Sequence, residues 1–158
     1  MNALSSPIPV IAELIAHRGA MLLLDYIVTV TESSMHASAQ VNSSAWYSNE
    51  HGNMPAWIGL ELMAQTIAAF VGWEARHQLA PVKKGVLLGS RNFQSNVSEF
   101  LASEPLEITA TLVFRAENGL GTFNCEIKKD QTILATATLN VYEPANFEQF
   151  MQKQKVII

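Results

Sequence analysis

Cysteine is nearly absent: Cys125 is the only one in 158 residues. That excludes an internal disulfide and points to a reducing compartment, so a cytoplasmic location is expected. Cys125 has no second thiol or base beside it, so within the alternating segment 122–127 it reads as a small packed residue. Charge is also scarce. Charged residues make up 15% of the chain against 49% hydrophobic, and ten Lys and Arg face fourteen Asp and Glu, a net charge of −4. Such a composition excludes wholesale disorder and lacks the clustered basic face that a nucleic-acid partner requires. The chain opens without a Lys/Arg-rich start or an A-x-A pattern, so no secretory signal is expected. Internal repeats, low-complexity runs, phosphate loops, nucleotide fingerprints and metal-ligand clusters are all missing, so neither metal nor cofactor is expected. At this length there is room for one domain, 1–158, which would bury roughly 70% of its unfolded surface.

The chain does contain one long apolar run, Met54 to Arg76, read as a single helix with almost no polar face. Such a helix must be buried on all sides or lie in lipid. Met54 to Trp73 has the length of a membrane span. However, Glu61 would cost about 2.5–3.5 kcal/mol near mid-bilayer, and Gln65 adds to that, so a buried helix of a globular protein is preferred. A carboxylate in such a helix is costly unless paired, protonated or used, which makes Glu61 the first candidate for chemistry. Asn53 is a plausible N-cap, with Pro55 in the first turn.

Around this helix the pattern is mostly strand. Residues 7–16 read as a short opening helix, broken at His17-Arg18-Gly19. Met21 to Val30 and Met35 to Val41 read as a hairpin, followed by a polar loop from Asn42 to Asn53. The second half reads as strands over 85–93, 105–116, 120–128 and 132–142, with Asn118-Gly119 as a hairpin turn. The tail from Asn146 is a polar short helix or an extended end. The expected fold is α+β, a curved antiparallel sheet of five or six strands wrapped round one long helix.

Two motifs carry a resemblance: His17-Arg18 followed by Met21-Leu22-Leu23-Leu24-Asp25, and Pro55 followed by Glu61, Met63, Ala64 and Gln65. With the later strand order, they make roughly residues 10–143 resemble the hot-dog-fold 3-hydroxyacyl-ACP dehydratases of the FabA/FabZ type. Within that group, PAWIGLELMAQ is most similar to the ApeP-like branch of aryl polyene clusters. The resemblance implies a hot-dog fold and a dimer. It also implies an active site in which a loop His takes the α-proton and a helix carboxylate handles the β-hydroxyl, the two coming from different subunits. Backbone N–H groups at the helix start would hold the thioester carbonyl. Glu61 falls on the carboxylate position. Fourteen residues earlier, where the family has its His, stands Tyr47; the nearby His is His51, ten before Glu61. The family's Pro-Gly at the helix start is Pro55-Ala56 here.

On this reading His51 and Glu61 are the catalytic pair, a base for a weakly acidic C–H and an acid for a poor leaving group. Pro55, Ala56, Trp57 and Gln65 are the substrate-binding candidates, with Gln65 one turn beyond Glu61 and suited to orient it. His17 and Arg18 read as packing or hydrogen-bonding residues, and His36 and His77 as surface residues. Ala64, Ala68 and Gly72 form a small-residue stripe open to close approach. An acidic acyl carrier protein is the expected partner, with Arg76, Lys83, Lys84 and Arg91 as docking candidates. The only prosthetic group implied is the carrier's phosphopantetheine arm. Two rival readings remain open: a hot-dog acyl thioesterase using the helix carboxylate alone, and a non-catalytic subunit completing a partner's site in a heterodimer.

Overall fold

The computed structural model describes residues 8–77 and 85–155. Six strands form one antiparallel sheet in the order β1-β2-β6-β7-β8-β4: β1 Tyr26–Val30, β2 Ser34–Gln40, β4 Val86–Ser95, β6 Pro105–Arg115, β7 Leu120–Lys129 and β8 Thr132–Tyr142. A separate short pair joins β3, Met54–Pro55, to β5, Glu99–Phe100. Helix α1, Gly59–His77, lies across β2, β6, β7 and β8, and a short helix α2, Phe147–Lys155, ends the described chain. This is the expected α+β arrangement.

Strand alternation explains why one face of the sheet takes the helix. Leu106, Ile108 and Ala110 of β6, Phe123, Cys125 and Ile127 of β7, and Ala135, Ala137 and Leu139 of β8 are buried toward α1. Phe70 of α1 meets Phe123 edge to face with ring centroids 5.8 Å apart. Burial pushes the Cys125 thiol up to about 12, so it packs as an inert side chain. The outer face is polar, and paired residues bond across it: Thr122 Oγ1 donates to Asn140 Oδ1 and Thr138 Oγ1 to Asn124 Oδ1. Helix α1 is mostly buried by the chain itself.

Three expectations about the first half need correction. Residues 7–16 do not form a helix; from residue 8 on, the described part holds only a 3-10 turn at Ile11–Glu13. Ile11, Leu14 and Ile15 are buried, and the backbone at Leu14 lies directly against Gly72 of α1. The chain therefore runs along the helix instead of coiling on itself. The first long strand begins at Tyr26, not Met21. Asp25 closes the β1–β2 pairing, its N–H donating to Ser38 O while its carboxylate takes the Gln40 N–H at 2.7 Å. Finally, α1 begins at Gly59 rather than Met54, because Met54–Pro55 pairs with β5 and Ala56–Ile58 is a 3-10 turn. Asn53 is not the N-cap. Its side chain is spent on Glu99 and on the Ala102 N–H.

At Gly72 the backbone of the N-terminal segment closes directly onto α1. A Cβ there would lie 2.1 Å from Leu14 O and 2.9 Å from Leu14 C, both backbone atoms. Gly72→Ala is expected to lower stability by about 1–3 kcal/mol, the cost of overpacking a filled site. Denaturant unfolding measures it, and an unchanged midpoint would show that the segment is free to move away.

Candidate active site

On α1, Glu61, Gln65 and Gly72 recur at helical spacing and face the segment 14–23. That segment is fastened to the helix at two places. Leu14 sits on Gly72. Further along, the fully buried Gln65 spends its whole amide. Its Oε1 accepts the Leu23 N–H at 2.9 Å, and its Nε2 donates to Met21 O at 2.8 Å and to Glu61 Oε1 at 2.9 Å. The backbone fixes which way the amide points, because the Leu23 N–H can only donate. Gln65 therefore does for residues 21–23 what a neighbouring strand would otherwise do. Trp46 Nε1 adds a bond to Ala20 O, and Arg18 folds back onto the carbonyls of Ile15 and His17.

His17 lies between the two fastenings. Its Nε2 is 3.4 Å from Glu61 Oε1, with both side chains about one-third exposed. His17 Nδ1 is buried and has no hydrogen-bond partner among the described residues. Glu61 is thus half open, not sealed inside the helix as its apolar neighbours suggest. The pair borders a cavity of about 160 Å³ lined otherwise by Ala64, Ile67, Ala68 and Val71 of α1, Val86 and Leu87 of β4, and Val141, Gly85 and Glu143. A carboxylate and an imidazole at an apolar recess can exchange a proton with one polar carbon centre of a ligand whose remainder is hydrocarbon. A larger hollow, about 690 Å³, lies between residues 19–25 and the loop around Trp46 and Tyr47. Its carboxylate, Asp25, is committed to the Gln40 N–H, so it offers no comparable pair.

His51 is on the exposed tip of the loop preceding α1. Its neighbouring carboxylates in the same chain are Glu50 and Glu99, each 3.9 Å away, and not Glu61. The loop beneath it is firmly built. The side-chain amides of Asn53 and Asn49 donate to Glu99, and Asn49 Oδ1 accepts the N–H groups of His51 and Asn53. These amides, Asn53 first and Asn49 next, with His51 nearby, hold the Glu99 carboxyl below the usual carboxylate range. Tyr47 is buried, with its hydroxyl on the Asn42 N–H, and closes the same loop.

The other candidates are dispersed. Pro55 pairs in β3, Ala56 is buried with its N–H on Ser98 O at 3.0 Å, and Trp57 is 65% exposed. Arg76 is paired with Glu13 at 2.8 Å, Arg91 is exposed on β4, and Lys83 and Lys84 lie outside the described residues. His36 is half-buried on the outer sheet face near Glu107, and the exposed His77 stacks on Trp73. Sequence reasoning did not bring His17 to the carboxylate. The available signal was its place in the same motif pair as Glu61 and Gln65, but forty-odd residues of separation hide a contact made only by folding.

A family model described as ApeP dehydratase matches residues 9–152. The chain belongs to the ApeP-like dehydratase family. A chain of the dehydratase heterocomplex ApeI:P from Xenorhabdus doucetiae superposes with a TM-score of 0.85 at 28% identity, covering 91% of this chain and 96% of that one. The PaaI protein of the E. coli phenylacetic acid degradation operon (16% identity, TM-score 0.59, 74% and 81% covered) shares the hot-dog fold. So does a hypothetical thioesterase with coenzyme A from Streptococcus pneumoniae (16%, 0.57, 74% and 83%). These two show the fold alone. No curated protein sequence matches. The ApeP-like assignment makes the chain a dehydratase and agrees with the α+β hot-dog expectation.

The Glu99 cluster gives a pH prediction. A carboxyl whose folded-state value is depressed stabilises the fold above its unfolded value, and that stabilisation is lost as pH falls through the folded value. Glu99→Gln replaces an acceptor by a donor facing two amide donors, so it is expected to lower the melting temperature at neutral pH. The gap from wild type should close on acidification below the usual carboxylate range. A gap that stays constant across a series of melts at falling pH would contradict an ionised Glu99 at the loop base.

Proposed function

We propose that this ApeP-like chain dehydrates a 3-hydroxyacyl thioester carried on an acyl carrier protein. The products are the trans-2-enoyl thioester and water, in aryl polyene or similar fatty-acid-like chain building. The observation that carries this reading is Glu61, an ionisable group fixed by Gln65 at the edge of an apolar cavity of about 160 Å³. In the reaction a base removes one α-hydrogen, and the C–H electrons form the α,β double bond. The β-carbon–oxygen bond breaks, and Glu61 gives its proton to the departing hydroxyl, which leaves as water. Gln65 donates to Oε1, so the proton Glu61 delivers sits on Oε2. Gln65 itself is buried and supports the carboxylate without touching substrate.

His51 serves as the base, presented across an interface to a partner's site. Its exposure at the tip of a well-braced loop, away from its own chain's Glu61, supports a trans arrangement. The ApeI:P relative is a heterocomplex, and for this chain we favour a heterodimer with a second hot-dog subunit. The strands β1 and β4 end the sheet, and β4 exposes Leu87 and Leu88, an apolar edge that pairing would cover. Thioester contacts fall to Trp57 and the first turn of α1, because Pro55 lacks an N–H and that of Ala56 is spent. Arg91, Arg76, Lys83 and Lys84 are the cationic candidates for carrier docking.

Glu61→Gln is expected to reduce turnover about 10²–10⁴-fold, the usual worth of one acid–base group, without loss of fold. His51→Ala should lower turnover by a similar factor at the partner's site that it serves, while leaving the melting temperature nearly unchanged. Product analysis with a 3-hydroxyacyl-carrier substrate checks both. Glu61→Gln turning over within a few-fold of wild type would remove Glu61 from the chemistry. Release of free acid and carrier thiol, instead of enoyl thioester, would establish a thioesterase.

A further inference from the structure

We infer that His17 is a positioning residue of this site, which donates from Nε2 to Glu61 Oε1 and leaves Oε2 as the single working oxygen. The inference rests on the dehydratase role of Glu61 given above. Three observations support it. His17 Nε2 is the nearest imidazole nitrogen to the carboxylate, 3.4 Å from the same oxygen that takes the Gln65 N–H. Its other nitrogen is buried with no hydrogen-bond partner among the described residues, so Nε2 is the nitrogen that faces the site. The backbone carrying His17 is held on both sides, by Leu14 against Gly72 and by Met21 and Leu23 on Gln65, with Arg18 closing the turn.

A lone pair on Nε2 facing a carboxylate oxygen would repel it, so the proposed role places a hydrogen on Nε2. In that role His17 is a donor and does not shuttle protons. With Gln65 it puts two donors on Oε1, which favours the rotamer that turns Oε2 toward the cavity and a ligand's β-hydroxyl. The two supports differ in kind. Gln65 also holds backbone, so its loss would disturb the fold, whereas among the described residues His17 makes its one side-chain contact of this sort with Glu61.

The test compares His17→Leu and His17→Gln in the full chain, alone and with its hot-dog partner, using a 3-hydroxyacyl-carrier substrate and reading kcat and KM separately. A Gln amide nitrogen can occupy the place of Nε2 and donate, but it cannot accept and return a proton. We expect His17→Leu to lower kcat about 10²-fold, the cost of a misplaced reacting group, with KM little changed. His17→Gln should keep kcat within about tenfold of wild type. Melting temperatures of both variants must stay close to wild type for the comparison to be read as positioning, and a common drop in melting temperature and kcat would overturn it in favour of a structural role. If His17→Gln is as inactive as His17→Leu, His17 moves protons and the donor assignment is wrong. If both are fully active while Glu61→Gln is dead, this inference fails and the dehydratase role of Glu61 stands. If Glu61→Gln is itself active, the failure lies with that role.

Discussion

The site depends on one side chain with three hydrogen bonds. Gln65, sealed inside the fold, joins the segment 21–23 to the central helix and at the same time holds Glu61 Oε1. A buried amide is tolerable only when fully satisfied, and each unmade bond would cost roughly 1–3 kcal/mol. Full satisfaction here requires both the segment and the carboxylate to be in place. Fold and site are therefore linked: the contact that lets the N-terminal segment run along α1 without forming a strand also aims the carboxylate. His17 lies in the same fastened segment, three residues after Leu14 and four before Met21, and it meets Glu61 one turn before Gln65.

The rest of α1 follows from what it must cover. Its inward residues are large where the sheet is open, as with Phe70 against Phe123, and small where backbone approaches, as at Gly72. On its remaining flank Ala64 and Ala68 leave space beside β4, and that space is the apolar recess behind Glu61. The stripe of small residues thus does two things at different heights, admitting the chain at one end and leaving the recess at the other.

Much of this was legible in the sequence, and the failures have physical causes. Alternation located β6, β7 and β8 within a residue or two, and the bounds of β8 agree at both ends, because a half-buried sheet forces period two. Glu61 stood out because a carboxylate amid apolar helix residues is expensive. By contrast, 21–23 has the composition of a strand but finds its partner in a side chain, which no local pattern records. The helix start was misplaced for a similar reason: Met54–Pro55 is claimed by β5, some forty-five residues away, and Asn53 by Glu99. His17 beside Glu61 is the same kind of long-range fact. His51, which reads as a local base, faces Glu99 in its own chain. Its proposed role depends on a second subunit.

The most direct measurement of the account is a crystal structure of the Glu61→Gln chain, in complex with its hot-dog partner, holding a 3-hydroxyacyl pantetheine thioester. The account predicts the β-hydroxyl within hydrogen-bond reach of residue 61, with the acyl chain lying over Ala64 and Ala68 toward β4. An acyl chain seated instead in the larger hollow beside Trp46, with residue 61 facing only His17 and Gln65, would contradict it.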